Sequence, residues 1–550
     1  MDKNKIKDIR DRAELVRGAT EPGENTAERV GGVLVDMADT FGEMYKDIGE
    51  TFDQLGGELV EALSSKADLE DGNVPTAQLG NVAAIVDERI KAKAEESYFS
   101  VMFAPNVNHP TEGGTLTIDG QAREVKPRTT LTYSVRVPTT LEMTGNVTWL
   151  DTSKLDTSKL TRTRVFGNDY DAYYITSMDV SHWDTSNMTD MSDAFSGMQR
   201  VERLEVGGWD TSKVTDMSGM FKECRLLRNV AVSGWDTSKV TNMANMFNDC
   251  RSLEHIDNGC WDTSKVTDMS GMFSDCDSLE DIEDGRLDMS SVTSTESMFY
   301  HCKRLRLMDI AGWDVSNVES MGAMFCGCEN IETLEVEGWN VAKVEAMFAM
   351  FADTKVAMLD LSAWKTPALT TCEEMFSGCG ELTSLDVSGV DVKNVGDLSR
   401  MFMDCKVLQE LDLSMWNTGK ATSMNGLFSG CGELVTLDVS KFDTSAVTNM
   451  NYMFYGCTSI TSLTLGEGFG RTKTVTEIDF SYMGKWTDST VQTLLTLYDR
   501  KANGLALLTL KLSPATAAAL GEDGKATLEG KGYAVEVVDR GGTEKSYLVI

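Results

Sequence analysis

Trp209 to Gly234 reads W-D-T-S-K-V-T-D-M-S-G-M-F-K-E-C-R-L-L-R-N-V-A-V-S-G, and two hydrophobic periods meet inside it. Val214, Met217, Met220, Phe221 and Cys224 fall at i, i+3, i+6, i+7 and i+10, a spacing that predicts one side of a helix of two or three turns. Ser212 or Thr215 stands where its N-cap would be. Leu227, Val230 and Val232 follow in the alternation of a strand three or four residues long. Trp209 to Ser212 open the unit and Ser233–Gly234 close it. Asp, Ser and Thr side chains bond nearby backbone N–H groups and favour turns there.

The unit recurs. Phe195, Phe221, Phe247, Phe273, Phe299, Phe325, Phe351, Phe376, Phe402, Phe428 and Phe454 lie 26 residues apart, with one step of 25. A fixed period of this size means stacked supersecondary units, none of which can bury its apolar face alone. The predicted fold is an α/β repeat solenoid, leucine-rich-repeat-like, with parallel short strands and short helices. Strands add ~4.8 Å per unit, whereas a helix with its side chains is ~10 Å wide. The helical side then needs more room, which predicts an arc with the strands on its concave face.

The string W-D-T-S-K-V-T-D-M-S-G-M-F-x-x-C-x-x-L, repeated at Trp235 to Phe247 and Trp261 to Phe273, resembles the 26-residue repeat of bacterial surface antigens and mycoplasma lipoproteins, a divergent leucine-rich repeat. The resemblance covers Asp179 to Leu465 and implies adhesion or recognition rather than catalysis. Leu287, Val390 and Phe442 replace the repeat tryptophan. Thr354 replaces the repeat cysteine in the turn that is one residue short, which marks the seventh repeat as the expected irregularity.

Eighty-six acidic against 51 basic residues give a net charge of -35, which disfavours nucleic acid and anionic membrane surfaces as partners. Nine of the 12 cysteines (224, 250, 276, 302, 328, 379, 405, 431, 457) share one repeat column, where a small buried apolar residue is wanted, so free thiols are expected. Their spread over many turns, with four histidines in the chain, argues against a zinc site. The repeat methionines read as core filler. The start M-D-K-N-K-I-K-D-I-R-D-R lacks an apolar signal core, and no run of 18 apolar residues occurs, so a soluble product made in the cytoplasm without membrane insertion is expected.

Five segments follow. Residues 1–65 are read as a helical coiled-coil attachment and oligomerisation segment. Leu34, Met37, Phe41, Met44, Ile48, Leu55 and Leu59 keep a 3/4 alternation between Val30 and Leu63. An amphipathic helix packed on its own domain is the other reading, and three strands is an analogy. Residues 66–100 are a linker and helix. Its K-A-D-L-E-D-G-N-V-P-T-A-Q-L-G, Lys66 to Gly80, is similar to a segment near the front of bacteriophage and prophage tail-fibre proteins. Residues 101–178 alternate at Thr115–Ile118, Thr130–Val137 and Asn146–Trp149, a small β-rich N-terminal cap. The solenoid takes 179–465. A C-terminal cap takes 466–550, with a helix near Val491–Tyr498 and strands near Ala506–Leu512 and Tyr533–Val538.

The position between the two inward strand residues is expected on the concave face. Nine of its eleven occupants are acidic: Glu205, Asp257, Glu283, Asp309, Glu335, Asp360, Asp386, Asp412 and Asp438, with Ala231 and Thr464 the exceptions. One reading is a solvated face that keeps the sheet soluble. The other is a binding stripe for a basic partner or for calcium shared between carboxylates. A second column follows the tryptophan (Asp184, Asp210, Asp236, Asp262, Asp288, Asp314, Asp391, Asp443), and there a local turn bond is the simpler account. No nucleophile elbow, phosphate loop or histidine pair at helical spacing occurs, and His109, His182, His255 and His301 share no column. The expected protein is a non-catalytic tail fibre. It would trimerise, attach to other virion tail proteins and contact a bacterial surface receptor, glycan or protein, from the virion tail. A cell-surface adhesin of the repeat family is the alternative, and an intracellular scaffold a weaker one.

Overall fold

The computed structural model describes the strand backbones within 97–154, residues 157, 176 and 178, and residues 180–540 apart from 260, 284–286 and 307. The coiled coil expected over 30–63, the linker over 66–80 and the helix expected before residue 97 lie outside the described residues.

The chain divides into two compact units, 1–160 with 165–184, and 161–164 with 185–550. In the first unit β1 (Ser97–Phe103), β4 (Thr130–Val135) and β6 (Val147–Lys154) form one antiparallel sheet in the order β4-β1-β6. A second antiparallel sheet orders β2 (Gly114–Ile118), β3 (Gln121–Val125) and β5 (Leu141–Thr144) as β3-β2-β5. Strands stand where the alternating stretches predicted them.

The second unit is a parallel β-solenoid of about 13 turns. Nine of the eleven repeats contribute one very short strand each: β7 (Arg203–Leu204), β8 (Asn229–Val230), β9 (His255–Asp257), β10 (Asp281–Glu283), β11 (Met358–Asp360), β12 (Ser384–Asp386), β13 (Glu410–Asp412), β14 (Thr436–Val439) and β15 (Ser462–Leu465). Neighbours pair in parallel with equivalent residues opposite, as Leu437 meets Leu411 and Leu463. His255–Asp257 exposes its two ends and buries Ile256, the alternation that a strand with one solvated face requires.

The helix predicted in each repeat is not there. Residues 217–224 are a run of turns in which alternate amides go to different partners. Met217, Gly219, Phe221 and Glu223 donate their N–H groups to the carbonyls of Asn242, Ala244, Met246 and Asn248 in the next coil, at 2.6–3.0 Å. Met220, Lys222 and Cys224 instead close tight turns on the residues three before them. Two residues per repeat, two before and two after the phenylalanine, have left-handed backbone: Gly219 and Glu223, Asn245 and Asp249, Gly271 and Asp275, and so on to Tyr452 and Gly456. A right-handed helix cannot pass through such residues. The width difference that predicted an arc is therefore absent, because this face too is laddered coil to coil by hydrogen bonds. The leucine-rich-repeat-like unit is corrected accordingly.

Inside, the phenylalanines form a continuous stack. Successive rings from Phe195 to Phe454 lie 5.3–6.2 Å apart, all close to parallel, and all are buried. Offset rings at this distance add attraction beyond the burial of their area. The nine column thiols are free and buried, and each donates its S–H to the carbonyl of a phenylalanine one coil back, as Cys302 does to Phe273 at 3.0 Å. Burial pushes the thiols up, to about 12 for Cys379 and Cys431. In the seventh repeat Thr354 Oγ1 turns back to Phe351 of its own coil at 2.9 Å. The ring spacing there, Phe325 to Phe351, is the widest at 6.2 Å.

At the C-terminal end the pattern changes. β16 (Glu477–Asp479), β17 (Leu508–Leu512) and β18 (Tyr533–Val537) form a parallel sheet, joined through α1 (Asp488–Leu494) and α2 (Pro514–Gly530). Phe480, just after β16, stacks on Phe454 at 5.3 Å and so extends the phenylalanine column. On the strand side α1 lies against β15 in place of a further strand. Thr490 Oγ1 accepts the Leu463 N–H and donates to Thr461 O, while Thr493 and Thr496 hydroxyls reach Leu463 O and Leu465 O. Hydroxyls three residues apart thereby satisfy the open strand edge, which would otherwise invite pairing with another chain. Arg500 is fully buried and donates only to the carbonyls of Gly470, Thr472 and Ala506, at 2.5–2.9 Å.

Candidate functional site

The buried columns are consumed by contacts between coils, so any site lies on the outward positions. The acidic column does stand on the strand face, in register. Asp360 is opposite Asp386, Asp412 opposite Asp438, and Glu283 opposite Asp257. Glu205, Asp257, Asp309, Glu335, Asp360, Asp386 and Asp412 are exposed and Asp438 is half-buried; the Glu283 side chain lies outside the described set.

Several of these acids have a local task. Asp360, Asp386, Asp412 and Asp438 each accept the backbone N–H of the serine two residues on, at 2.8–3.0 Å, and so close the turn that ends the strand. The Ser362 hydrogen bonds hold the Asp360 carboxyl below its ordinary value, and those of Ser414 do the same for Asp412. A depressed pKa means that the turn bond is at full strength above the ordinary carboxylate range and is lost as the pH falls through the folded value. Towards the N-terminal end the face carries compensating bases: Arg203 pairs with Glu205, Arg228 with Glu254 at 3.8 Å, and His255 with Asp281 at 3.1 Å. From Asp309 to Asp438 the column forms no ion pair among the described residues.

The second acidic column makes the turns expected of it. Asp210, Asp236, Asp262, Asp288, Asp314, Asp391 and Asp443 accept the N–H two residues on at 2.9–3.0 Å. Side-chain bonds from the serines lower the pKa of Asp210, Asp236, Asp262 and Asp314. The adjoining threonines Thr185, Thr211, Thr237 and Thr263 are buried and donate to the carbonyl of the next coil's aspartate at 3.0 Å. Among the described residues no three His, Cys, Asp or Glu side chains converge to hold a metal ion. No described helix is long and apolar enough to cross a membrane.

The turn face was not singled out by the sequence. Asn245, Asn248, Ser270, Gly271, Ser274, Ser294, Glu296 and Ser297 line a shallow polar depression of about 440 Å³. Nearer the C-terminal end of the solenoid an aromatic group gathers. Tyr452 packs edge-on to Tyr455 (6.2 Å), Tyr455 to Tyr482 (4.7 Å), and the Arg540 guanidinium lies 3.9 Å over the Tyr482 ring. Tyr452 breaks its repeat column, so a column-by-column reading averages it away. Departure from the column on an outward position was the signal available.

One protein family, described as "Mycoplasma protein of unknown function, DUF285", matches in four overlapping stretches: 140–229, 190–306, 280–385 and 370–494. No curated protein and no solved structure matches the chain significantly. With the family covering residues 140–494 out of 550, and its stretches falling on the stacked 26-residue coils described above, the chain belongs to that DUF285 family of Mycoplasma-type proteins.

Proposed function

We propose that the chain is a non-catalytic recognition protein, the receptor-binding part of a bacteriophage or prophage tail fibre that contacts the bacterial cell surface through its solenoid. The observation that carries this reading is the division of labour within each coil. Phe, Met, Cys, Trp and Thr columns are buried and bonded to neighbouring coils, while the outward turn positions and the strand positions flanking the acidic column vary from coil to coil over a long surface. A rigid scaffold that displays variable exposed positions suits binding. The tail-fibre form rests on the resemblance of Lys66 to Gly80 and on the heptad stretch before it. The surface-adhesin reading is favoured by the repeat string alone and shares the recognition surface but not the trimer.

Sedimentation equilibrium of the full chain and binding of the fluorescently labelled chain to a panel of bacterial cells test both parts. A trimer that labels some strains supports the fibre. A monomer that labels cells leaves the adhesin. Absence of binding to every strain would remove recognition of bacterial surfaces.

A further inference from the structure

We infer that the tyrosine cluster at the C-terminal end of the turn face is a binding site for a neutral glycan; this deepens the recognition reading and rests on it. Two features converge on Tyr452. It is 56% exposed, a large aromatic ring left in water at a position filled elsewhere by small or polar residues. Its backbone is left-handed, φ 57°, at a repeat position that is glycine in the preceding coil (Gly426, φ 61°). Every coil is left-handed at this position, so it is the exposed aromatic ring that sets Tyr452 apart. Tyr452 is also not alone, because the partly exposed Tyr455 packs against it at 6.2 Å and against Tyr482 at 4.7 Å, with Arg540 covering the Tyr482 ring.

The surroundings select the ligand. Gly430 and Gly456, both left-handed, lie in adjoining coils beside Tyr455 and pack against each other. Exposed Asn451 adjoins Tyr452 and offers an amide donor and acceptor within reach of a ligand's hydroxyls. Arg540 pairs with Asp479 at 2.6 Å, and the Asp404 carboxylate borders Gly430, so the charge at the rim disfavours an anion. The chain's net charge of -35 repels anionic ligands at longer range. An exposed aromatic ring beside amide hydrogen-bonding groups, with negative charge at the rim, matches a neutral pyranose, which has an apolar C–H face and a polar hydroxyl rim.

The test titrates the full chain with maltotetraose, an N-acetylglucosamine tetramer and a mannose tetramer, with saturation-transfer NMR as readout. Tyr452→Gly, Tyr455→Ala and, as a remote control on the same face, Tyr300→Ala are compared, and Tm is measured for each. The expected result is saturable binding of at least one tetrasaccharide, weakened at least tenfold in Tyr452→Gly and Tyr455→Ala and unchanged in Tyr300→Ala. Tyr452→Gly should also hold or raise Tm, since it relieves the left-handed strain. The proposal is overturned if no tetrasaccharide binds, if Tyr452→Gly binds as the parent does, or if its Tm falls along with its binding, which would make the ring a packing element. Cell labelling separates the two levels. Strains still labelled by Tyr452→Gly and Tyr455→Ala would place recognition elsewhere on the solenoid, whereas a parent chain that labels none would sink the recognition reading itself.

Discussion

Replacing Gly271 by alanine distinguishes the ladder of turns from a helix by the sign of the effect. Gly271 lies two residues before Phe273 with φ +59°, and an added methyl would meet Asn245 Oδ1 of the preceding coil. Left-handed backbone costs an L-residue about 1–2 kcal/mol, so Gly271→Ala should destabilise by at least that amount, with displacement of the Asn245 amide in addition. In a helix the same change would stabilise by about 1 kcal/mol. Ala349 supplies the mirror experiment. It holds φ 49° at the same repeat position, with its small side chain partly exposed. Ala349→Gly removes the left-handed cost but adds glycine's entropy of about 0.5–1 kcal/mol, for a net gain of about 0.5 kcal/mol. Urea denaturation of both variants, monitored by tryptophan fluorescence, reads the two signs. A stabilised Gly271→Ala together with a destabilised Ala349→Gly would refute the ladder and restore the helix.

The column thiols should resist a water-soluble disulfide reagent at pH 8 in the native chain and react in 6 M urea, because burial holds them up; nine fast-reacting native thiols would contradict their burial. Arg500→Met should destabilise by about 3 kcal/mol, since the carbonyls of Gly470, Thr472 and Ala506 lose charged donors at about 1–3 kcal/mol per orphaned group, partly offset by removing a buried charge. A Tm equal to that of the parent would show the guanidinium to be dispensable. Changing Asp360, Asp386 and Asp412 together to Asn keeps the turn acceptor and removes like charges from neighbouring coils. Tm should rise at low ionic strength, with the gain fading towards 1 M salt, where the screening length is ~3 Å. Lost cell labelling in that variant would make the column a binding stripe, and retained labelling a solvated face.

The period of the phenylalanines made the solenoid legible because stacking repeats identical contacts, so the burial of one ring implies the burial of all. The strand of Leu227, Val230 and Val232 and the turn bond of Asp210 were likewise local enough to read. The helix was misread because a run of tight turns that sends every third or fourth side chain inward matches the helical period. The corrective signal was the recurrence of Gly219, Gly271 and Gly426 before the phenylalanine and of Gly197, Gly327, Gly378, Gly430 and Gly456 after it, with Asn and Asp in several other coils. Those residue types tolerate left-handed backbone and weaken a helix. In the C-terminal cap, α1 and the two strands were foreseen near their places. α2 was not, because its Ala- and Gly-rich sequence shows no apolar stripe.

The spacing of coils on the turn face tests the central claim most directly. Lys222 and Ser429 occupy the same repeat column eight coils apart and are both partly exposed. Spin labels at Lys222→Cys and Ser429→Cys, in a chain whose Cys260 and Cys326 are serine, give their separation by pulsed electron paramagnetic resonance. A hydrogen-bonded ladder at ~4.8 Å per coil puts them about 38 Å apart. Helices packed side by side at ~10 Å would put them near 80 Å, and a distance close to that value would contradict the fold described for the solenoid.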